Sequence, residues 1–352
     1  MRPGGRFGRR WLLKGLVALP ALHPGRRASG QDAGAAEAMA RAAGVFLDSL
    51  DRALAARAAV PFLDAERLNW HYVPRRRQGV PLKDLAPASR AAAHDLLRAV
   101  LSPEGYAKVG DVMRLEAVLR QTELFGSFLR DPDAYSVTVF GTPGPNAPWG
   151  WRFEGHHLSL NFTLAPGRPI AATPAFLGAN PAEVRSGPHR GLRALQQEQD
   201  LGLALARSVP PALQGRLVIV ADTPGDVVTG PGREESQKVP AGLALADLGP
   251  SSRDLAERLV ETCARTMRAE IADLELRRFH QAGVERLHVA WAGPLDPTRP
   301  HYYRLHGPTL LIEHDNTQGG ATHVHSVWHT PGNAFGADVL RAHHRTAHRS
   351  LG

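Results

Sequence analysis

The spacing of apolar residues changes near residue 134, and this change constrains the fold more than any other feature of the chain. Before it, apolar residues recur at every third or fourth position, which places them on one face of a helix. They are Met39, Ala43, Phe46, Leu50 and Leu54. After it, Tyr135, Val137 and Val139 alternate with polar residues, which is typical of a half-buried strand. Helices followed by strands predict the α+β class.

Further helices are predicted in both parts of the chain. Residues 87–101 and 103–125 each have a proline near the start, and Ser102 is placed to cap the second helix. We also predict helices at 189–207 and at 335–348. The strongest apolar stripe predicts one continuous helix that begins at Ser251-Ser252 and stops at Gly283. Its members are Leu255, Leu259, Cys263, Met267, Ile271 and Leu274.

Short strands dominate the rest of the second part. Residues 151–162 predict either one strand or a hairpin broken near Gly155, and four strands are predicted at 287–292, 301–306, 309–314 and 323–329. Their short connections favour an antiparallel meander. We therefore predict one compact α+β domain over residues 31–352, in which helices from 32–128 pack against a mainly antiparallel sheet from 134–348.

Charge and composition exclude several classes of function. The formal net charge is +8, but residues 1–30 contain seven basic residues and no acidic one. The remaining chain has 35 basic and 34 acidic residues, so nothing favours a nucleic-acid partner. Cys263 is the single cysteine, which excludes an internal disulfide and a multi-cysteine metal site. No apolar run reaches the roughly 20 residues of a membrane span, so stable membrane insertion is not expected.

The first thirty residues are typical of an export signal. Arg9-Arg10 precede Trp11 and a leucine pair in the manner of a twin-arginine signal, and a short apolar segment follows at 12–22. Ala28-Ser29-Gly30 offers small residues for cleavage. We expect a periplasmic or secreted protein whose partner is the twin-arginine export machinery. The alternative is a basic amphipathic arm with no targeting role.

Histidines and carboxylates gather in two patches of the strand-rich part. The first contains Glu154, His156 and His157, and the second contains Glu313, Asp315, His323 and His325. Residues two apart on a strand share a face, so the members of each alternating pair point the same way. If the two strands of the second patch pair, a carboxylate and two imidazoles come close together.

Such donor sets suit one divalent transition metal, and zinc, iron, copper and manganese all remain open. The alternative is a solvated strand face whose imidazoles form ordinary hydrogen bonds. Cys263 lies in the apolar stripe and is interpreted as a core residue rather than a nucleophile. Trp149 and Trp151 either wall a pocket or belong to the core.

Four segments resemble a family known as domain of unknown function 3500. They are 148–161, 301–304, 313–318 and 323–328, beginning Pro-Trp-Gly-Trp, His-Tyr-Tyr-Arg, Glu-His-Asp-Asn and His-Val-His-Ser. The resemblance covers nearly all of the chain after residue 30, and it implies no particular activity. In the family pattern, other residue types stand at His314 and His329, which makes these two weaker ligand candidates. The residues that match the pattern are Glu154, His156, His157, Glu313, Asp315, Asn316, His323 and His325.

The leading hypothesis is an exported metal-dependent enzyme, either a hydrolase or an oxidoreductase, that acts on a small molecule. His323, His325 and one or both of His156 and His157 would hold the metal, and Glu313 or Asp315 would complete or orient the site. Glu154 would act as a general base on bound water.

Two other hypotheses use the same residues differently. A metal-free hydrolase or lyase would use a glutamate–histidine pair, with Arg152 or Arg304 clamping an anionic substrate. A periplasmic binding protein without catalysis would bind its ligand between aromatic side chains. Those side chains are Trp149, Trp151, Tyr302 and Tyr303.

Overall fold

A twelve-stranded sheet forms the centre of the computed structural model, which describes residues 30–122 and 130–347. Its strands are β1 (Ala59–Val60), β2 (Val80–Pro81), β3 (Ser136–Phe140), β4 (Trp149–Gly155), β5 (Leu158–Leu164), β6 (Ala175–Ala179), β7 (Val218–Val220), β8 (Leu243–Ala244), β9 (His288–Ala292), β10 (Tyr302–His306), β11 (Leu311–Gln318) and β12 (His323–His329). The main order is β1-β3-β4-β5-β6-β12-β11-β10-β9-β7, with β2 beside β3 and β8 beside β9.

Nine α-helices lie within the described residues. They are α1 (Gly30–Asp48), α2 (Arg52–Ala58), α3 (Pro87–Arg98), α4 (Pro103–Thr122), α5 (Gln196–Ser208), α6 (Pro211–Leu217), α7 (Pro250–Ala264), α8 (Ala269–Ala282) and α9 (Ala337–Ala347). None of the described helices is long and apolar enough to cross a membrane. The predicted signal up to residue 29 and the predicted helix ends at Phe125 and His348 lie outside the described residues.

The predicted α+β class and mainly antiparallel sheet are confirmed. Consecutive strands β9 to β12 pair antiparallel, which is the predicted meander. Residues 151–162 form the hairpin of β4 and β5 rather than one strand, and the turn comes just after Gly155. Two pairs are parallel, β1 with β3 and β7 with β9. Ser102 caps α4, because its hydroxyl accepts a hydrogen bond from the Gly105 amide at 2.9 Å.

The pairing register gives the sheet two chemically different faces. One row of neighbours across the sheet is entirely apolar: Val137, Phe153, Leu160, Ala175, Trp328, Ile312, Leu305 and Val289. The adjacent row, which points to the opposite face, is Ser136, Glu154, Ser159, Phe176, Val327, Glu313, Arg304 and Ala290. Side chains of the helices pack on the apolar face in two large clusters.

The polar face is buried as well, largely by segments outside the nine α-helices named above. Trp70 and Tyr72 from one segment and Val227 from another pack against Phe176 and Val327 on this face. We call residues 221–242, which include Val227, the covering loop. All five residues of β3 are buried, so the expectation of a half-buried strand at 135–139 is wrong. Loops that cover a polar face leave no mark in the alternation of a strand.

Three predicted helices differ from the observed ones. The continuous helix from Ser251 to Gly283 is divided into α7 and α8, because Met267 forms a backbone bridge with Leu101 between them. The helix predicted at 189–207 begins only at Gln196, after turns that include Gly191 at φ +88°. The first apolar stripe is divided after Asp48, since α2 starts at its own cap, Asp51. In each case the backbone bonds to another partner, which side-chain periodicity cannot show.

Candidate metal centre

Three histidines, two from β12 and one from the turn between β4 and β5, converge at one edge of the polar face. His323 and His325 alternate on β12 and therefore share a face. His157 lies in the tight turn between β4 and β5 at φ 61°. One ring nitrogen of each of the three lies within 4.8 Å of the others. The Nε2 atoms of His157 and His323 are 2.6 Å apart.

A glycine makes this approach possible. Gly178 on β6 lies directly opposite His325 in the strand register. A Cβ atom at residue 178 would lie 2.9 Å from Cδ2 of His157 and 3.0 Å from Cδ2 of His325. A larger residue at this position would therefore separate the two imidazole rings.

His325 is oriented by a carboxylate from the covering loop. Its Nδ1 lies 2.8 Å from Oδ1 of Asp226, while its Nε2 is buried and has no hydrogen-bond partner among the described residues. Asp226 is itself fixed, since Tyr72 donates to its Oδ2 at 2.9 Å and the Val227 amide donates to its Oδ1. Metal-binding histidines commonly have this arrangement, in which a carboxylate contacts one ring nitrogen and the other nitrogen is available for the metal.

Asp315 brings a second carboxylate to His325. The two residues are direct neighbours across β11 and β12, and together with Asp226 they form another set of close ligand atoms. Its Oδ2 accepts from the Thr317 hydroxyl at 3.0 Å, whereas its Oδ1 is buried without a hydrogen-bond partner among the described residues. Burial raises the pKa of Asp315 to about 6.

The electrostatics keep the imidazoles in the form that binds metals. Burial, together with the neighbouring histidines, lowers the pKa of His157 well below its usual value and that of His323 to about 3. Both rings are therefore neutral at physiological pH and have a lone pair available.

His156 points to a different partner from His157. Its Nδ1 donates to the carboxylate of Glu116 on α4, and Arg130 donates to its Nε2 at 3.2 Å. The rings of His156 and His157 nevertheless stack, with centroids 3.7 Å apart. Burial lowers the pKa of His156 despite the carboxylate. Glu116, His156 and His157 thus form a third close set of ligand atoms.

Glu313 lies outside the histidine cluster and anchors the covering loop. Its Oε1 accepts hydrogen bonds from the amide and hydroxyl of Thr229, and its Oε2 accepts one from the Val228 amide. It shares a face with Asp315, but residues two apart on a strand are separated by roughly 7 Å. Its contribution is to hold the loop that carries Asp226.

Glu154 and Arg152 belong to a buried ion-pair network. Arg152 Nε lies 2.8 Å from Glu154 Oε1, and Arg152 Nη2 lies 2.5 Å from Glu66 Oε1. Arg77 lies 3.6 Å from the other oxygen of Glu154. In the sheet order β4 is three strands from β12, which is roughly 14 Å at the usual strand spacing. The structure therefore does not bring Glu154 to His325.

The four aromatic side chains of the binding-protein hypothesis do not meet. Trp149 and Trp151 pack in the first helix-covered cluster, and Tyr303 packs in the second. Tyr302 lies on the opposite, polar face. Cys263 also packs against the second cluster, and burial raises the pKa of its thiol, in keeping with a core role.

Sequence reasoning missed Asp226 and Glu116. Asp226 lies in a Gly/Pro-rich stretch that carries no periodic signal, and Glu116 is one of several acids on α4. Their proximity to His325 and His156 arises only when a loop and a helix fold onto the sheet.

Comparison with known families gives one match. A family model described as "Protein of unknown function (DUF3500)" matches residues 32–337. No curated protein and no solved structure matches the chain.

Proposed function

Because this chain belongs to the DUF3500 family, whose description names no reaction, we propose a function from its geometry: it is a metal-dependent enzyme. His157, His323 and His325 hold one divalent transition metal. The observation that carries the proposal is the convergence of three ring nitrogens within 4.8 Å, one of them on a ring oriented by Asp226. Three histidines with a fourth position left open are typical of catalytic zinc sites.

The reaction we propose is hydrolysis. A bound divalent ion would supply Lewis-acid chemistry toward water or a substrate oxygen. Asp315 has one buried carboxylate oxygen without a hydrogen-bond partner in the described chain, directly beside His325. This oxygen is placed to take a proton from water at the site. Imidazole also suits copper and iron, so an oxidoreductase is the alternative outcome of the same experiment.

We further propose that the protein acts outside the cytoplasm, in the periplasm or after secretion. The paired arginines, the short apolar segment and the small residues at 28–30 support this location. Fractionation of the native host, with N-terminal sequencing of the exported form, tests it. An N-terminus that begins near residue 30 is expected, and an uncleaved cytoplasmic protein would contradict the proposal.

Elemental analysis of the purified protein tests the metal site. We expect about one transition metal per chain in the parent and nearly none in a His157→Ala/His323→Ala variant. His280→Ala is the matched control, because His280 is an exposed histidine on α8 and should leave the metal content unchanged. A folded parent that takes up no zinc, iron, copper or manganese would refute the proposal.

A metal-free acid–base enzyme is the second candidate, and the contact of His156 with Glu116 favours it. A carboxylate that orients an imidazole is the usual arrangement of a general base. Activity that survives chelation but is lost in Glu116→Gln would support this candidate. Activity lost with the metal and restored by its return would support the metal-dependent one.

A further inference from the structure

The three buried arginines of the polar face differ in how their charge is balanced. Arg152 and Arg77 both lie beside carboxylates, as described above. Arg304 on β10 is 5% exposed and is within 4 Å of no carboxylate oxygen of the described chain. Its Nη1 donates a hydrogen bond to the amide oxygen of Gln237, and its Nε has no partner among the described residues.

A buried guanidinium without an anion is costly, because the charge loses its hydration and receives no compensating ion pair. Glu313 lies directly across the strand pair, yet both of its carboxylate oxygens accept hydrogen bonds from residues 228 and 229. The hydroxyl of Tyr302, two residues from Arg304 on the same face, is also buried and lies beside both Arg304 and Glu313. The guanidinium and the phenol hydroxyl therefore lie together on this part of the face.

We propose that Arg304 and Tyr302 bind an oxyanion group, a carboxylate or phosphate, of the small molecule on which the metal site acts. This inference rests on the proposed function and names its substrate class. A guanidinium recognises either group through parallel N–H bonds, and a tyrosine hydroxyl adds a further donor.

Gln237 determines how such a group reaches Arg304. It lies in the covering loop and is half-exposed, so solvent reaches the place where its amide oxygen meets the guanidinium. The ligand oxyanion replaces this amide oxygen. Exchange of a neutral acceptor for an ionised one strengthens the hydrogen bond.

The register also sets the size of the substrate. Arg304 lies two strands from His325 and two residues along the sheet. At the usual strand spacing and rise, the two residues are about 12 Å apart. The substrate therefore spans two strand spacings of the sheet, from Arg304 on β10 to the metal centre on β12.

Thermal unfolding with phosphate, acetate or neutral acetamide tests the anion site. Ionic strength is held constant, and the protein is metal-free so that the metal cannot capture the anion. We expect phosphate or acetate, but not acetamide, to raise the melting temperature of the parent. The apparent affinity should fall at least tenfold in Arg304→Gln and less in Arg304→Lys. Gln237→Ala should bind several-fold more tightly, because the competing amide is gone.

Arg258→Gln is the matched control, since Arg258 is exposed on α7 and should bind the anion as the parent does. Equal stabilisation of the parent and Arg304→Gln, or none in the parent and Gln237→Ala, would overturn the inference. Metal content is measured on the same variants. A parent that binds metal but is not stabilised by phosphate or acetate refutes this inference alone, whereas a parent without metal refutes the proposed function.

Discussion

The two faces of the sheet are formed by alternate residues of the same strands, yet one buries apolar side chains and the other buries polar ones. On one face Phe153 and Leu160 are fully buried beneath helices. On the other face their chain neighbours Glu154 and Ser159 are buried just as deeply, beneath loops. Burial of apolar area stabilises the fold at low cost, whereas burial of charge needs partners at every atom. The helix-covered face holds the fold together, and the loop-covered face carries the candidate metal centre.

Several buried polar atoms on β10, β11 and β12 lack a partner within the described part of the polar face. Glu154 and Glu313 are fully engaged by arginines or backbone amides. Oδ1 of Asp315, Nε2 of His325 and Nε of Arg304 lack hydrogen-bond partners among the described residues. Buried polar atoms in proteins are nearly always paired, so unpaired ones in one region indicate a place for a ligand.

The largest loss of stability is expected from a mutation that creates a cavity on the helix-covered face. Phe153→Ala should lower the free energy of unfolding by about 3–5 kcal/mol, because the surrounding side chains cannot fill the space. Urea denaturation measures the loss. Metal content per folded chain should stay at the parent level, and a change there would show that the two faces are not independent.

The second-largest loss of stability is expected when one member of the buried ion-pair network is removed. Arg152→Leu leaves the buried Glu154 with Arg77 and the His71 amide as partners, and should cost about 3 kcal/mol at neutral pH. Burial already raises the pKa of Glu154, and loss of Arg152 raises it further. When the pKa of a carboxyl group is higher in the folded than in the unfolded state, the protein loses stability as the pH rises through the folded-state pKa.

The deficit of Arg152→Leu should therefore be smaller at pH 5 than at pH 8. Urea denaturation at both pH values measures it, with Arg258→Gln as an exposed control. A deficit that does not change with pH would mean that Glu154 stays ionised through other partners.

The difference between the faces also explains what could be predicted from the sequence. Alternation placed His323 and His325 on one face, and apolar spacing placed Met39, Ala43 and Phe46 in the core, because both depend on local geometry. The burial of both sheet faces could not be predicted. It depends on segments such as the covering loop, whose position is set by long-range contacts to Glu313.

Long-range contacts also explain why the adjacent residues His156 and His157 have different partners. His156 and His157 are adjacent in sequence, but the turn at His157 sends one ring toward Glu116 and the other toward His323. Sequence spacing cannot distinguish the two directions. Nor could it identify Asp226, which reaches His325 from 99 residues away.

A smaller effect is expected where the covering loop meets the metal centre. Asp226→Asn keeps the size of the side chain but removes the charge that orients His325. We expect a 10–100-fold loss of metal affinity, about 1.4–2.7 kcal/mol, with little change in the stability of the metal-free protein. Competition with a chelator measures the affinity. Asp222→Asn, on an exposed residue of the same loop, is the control. Equal affinity in both variants would remove Asp226 from the site.

The smallest loss of stability is expected on the polar face, where it can be compared with the loss at a neighbouring residue of the same strand. Ser159 and Leu160 on β5 are both fully buried and point to opposite faces. Ser159→Ala removes only the acceptor for the Asn161 side chain, at 3.1 Å, and Asn161 keeps its bond to the Pro174 carbonyl. We expect a cost of about 1 kcal/mol from the lost hydrogen bond, against about 2–5 kcal/mol for Leu160→Ala. Equal costs would contradict this difference between the faces. They would mean that one hydrogen bond on the polar face contributes as much to stability as the packing of one leucine on the apolar face.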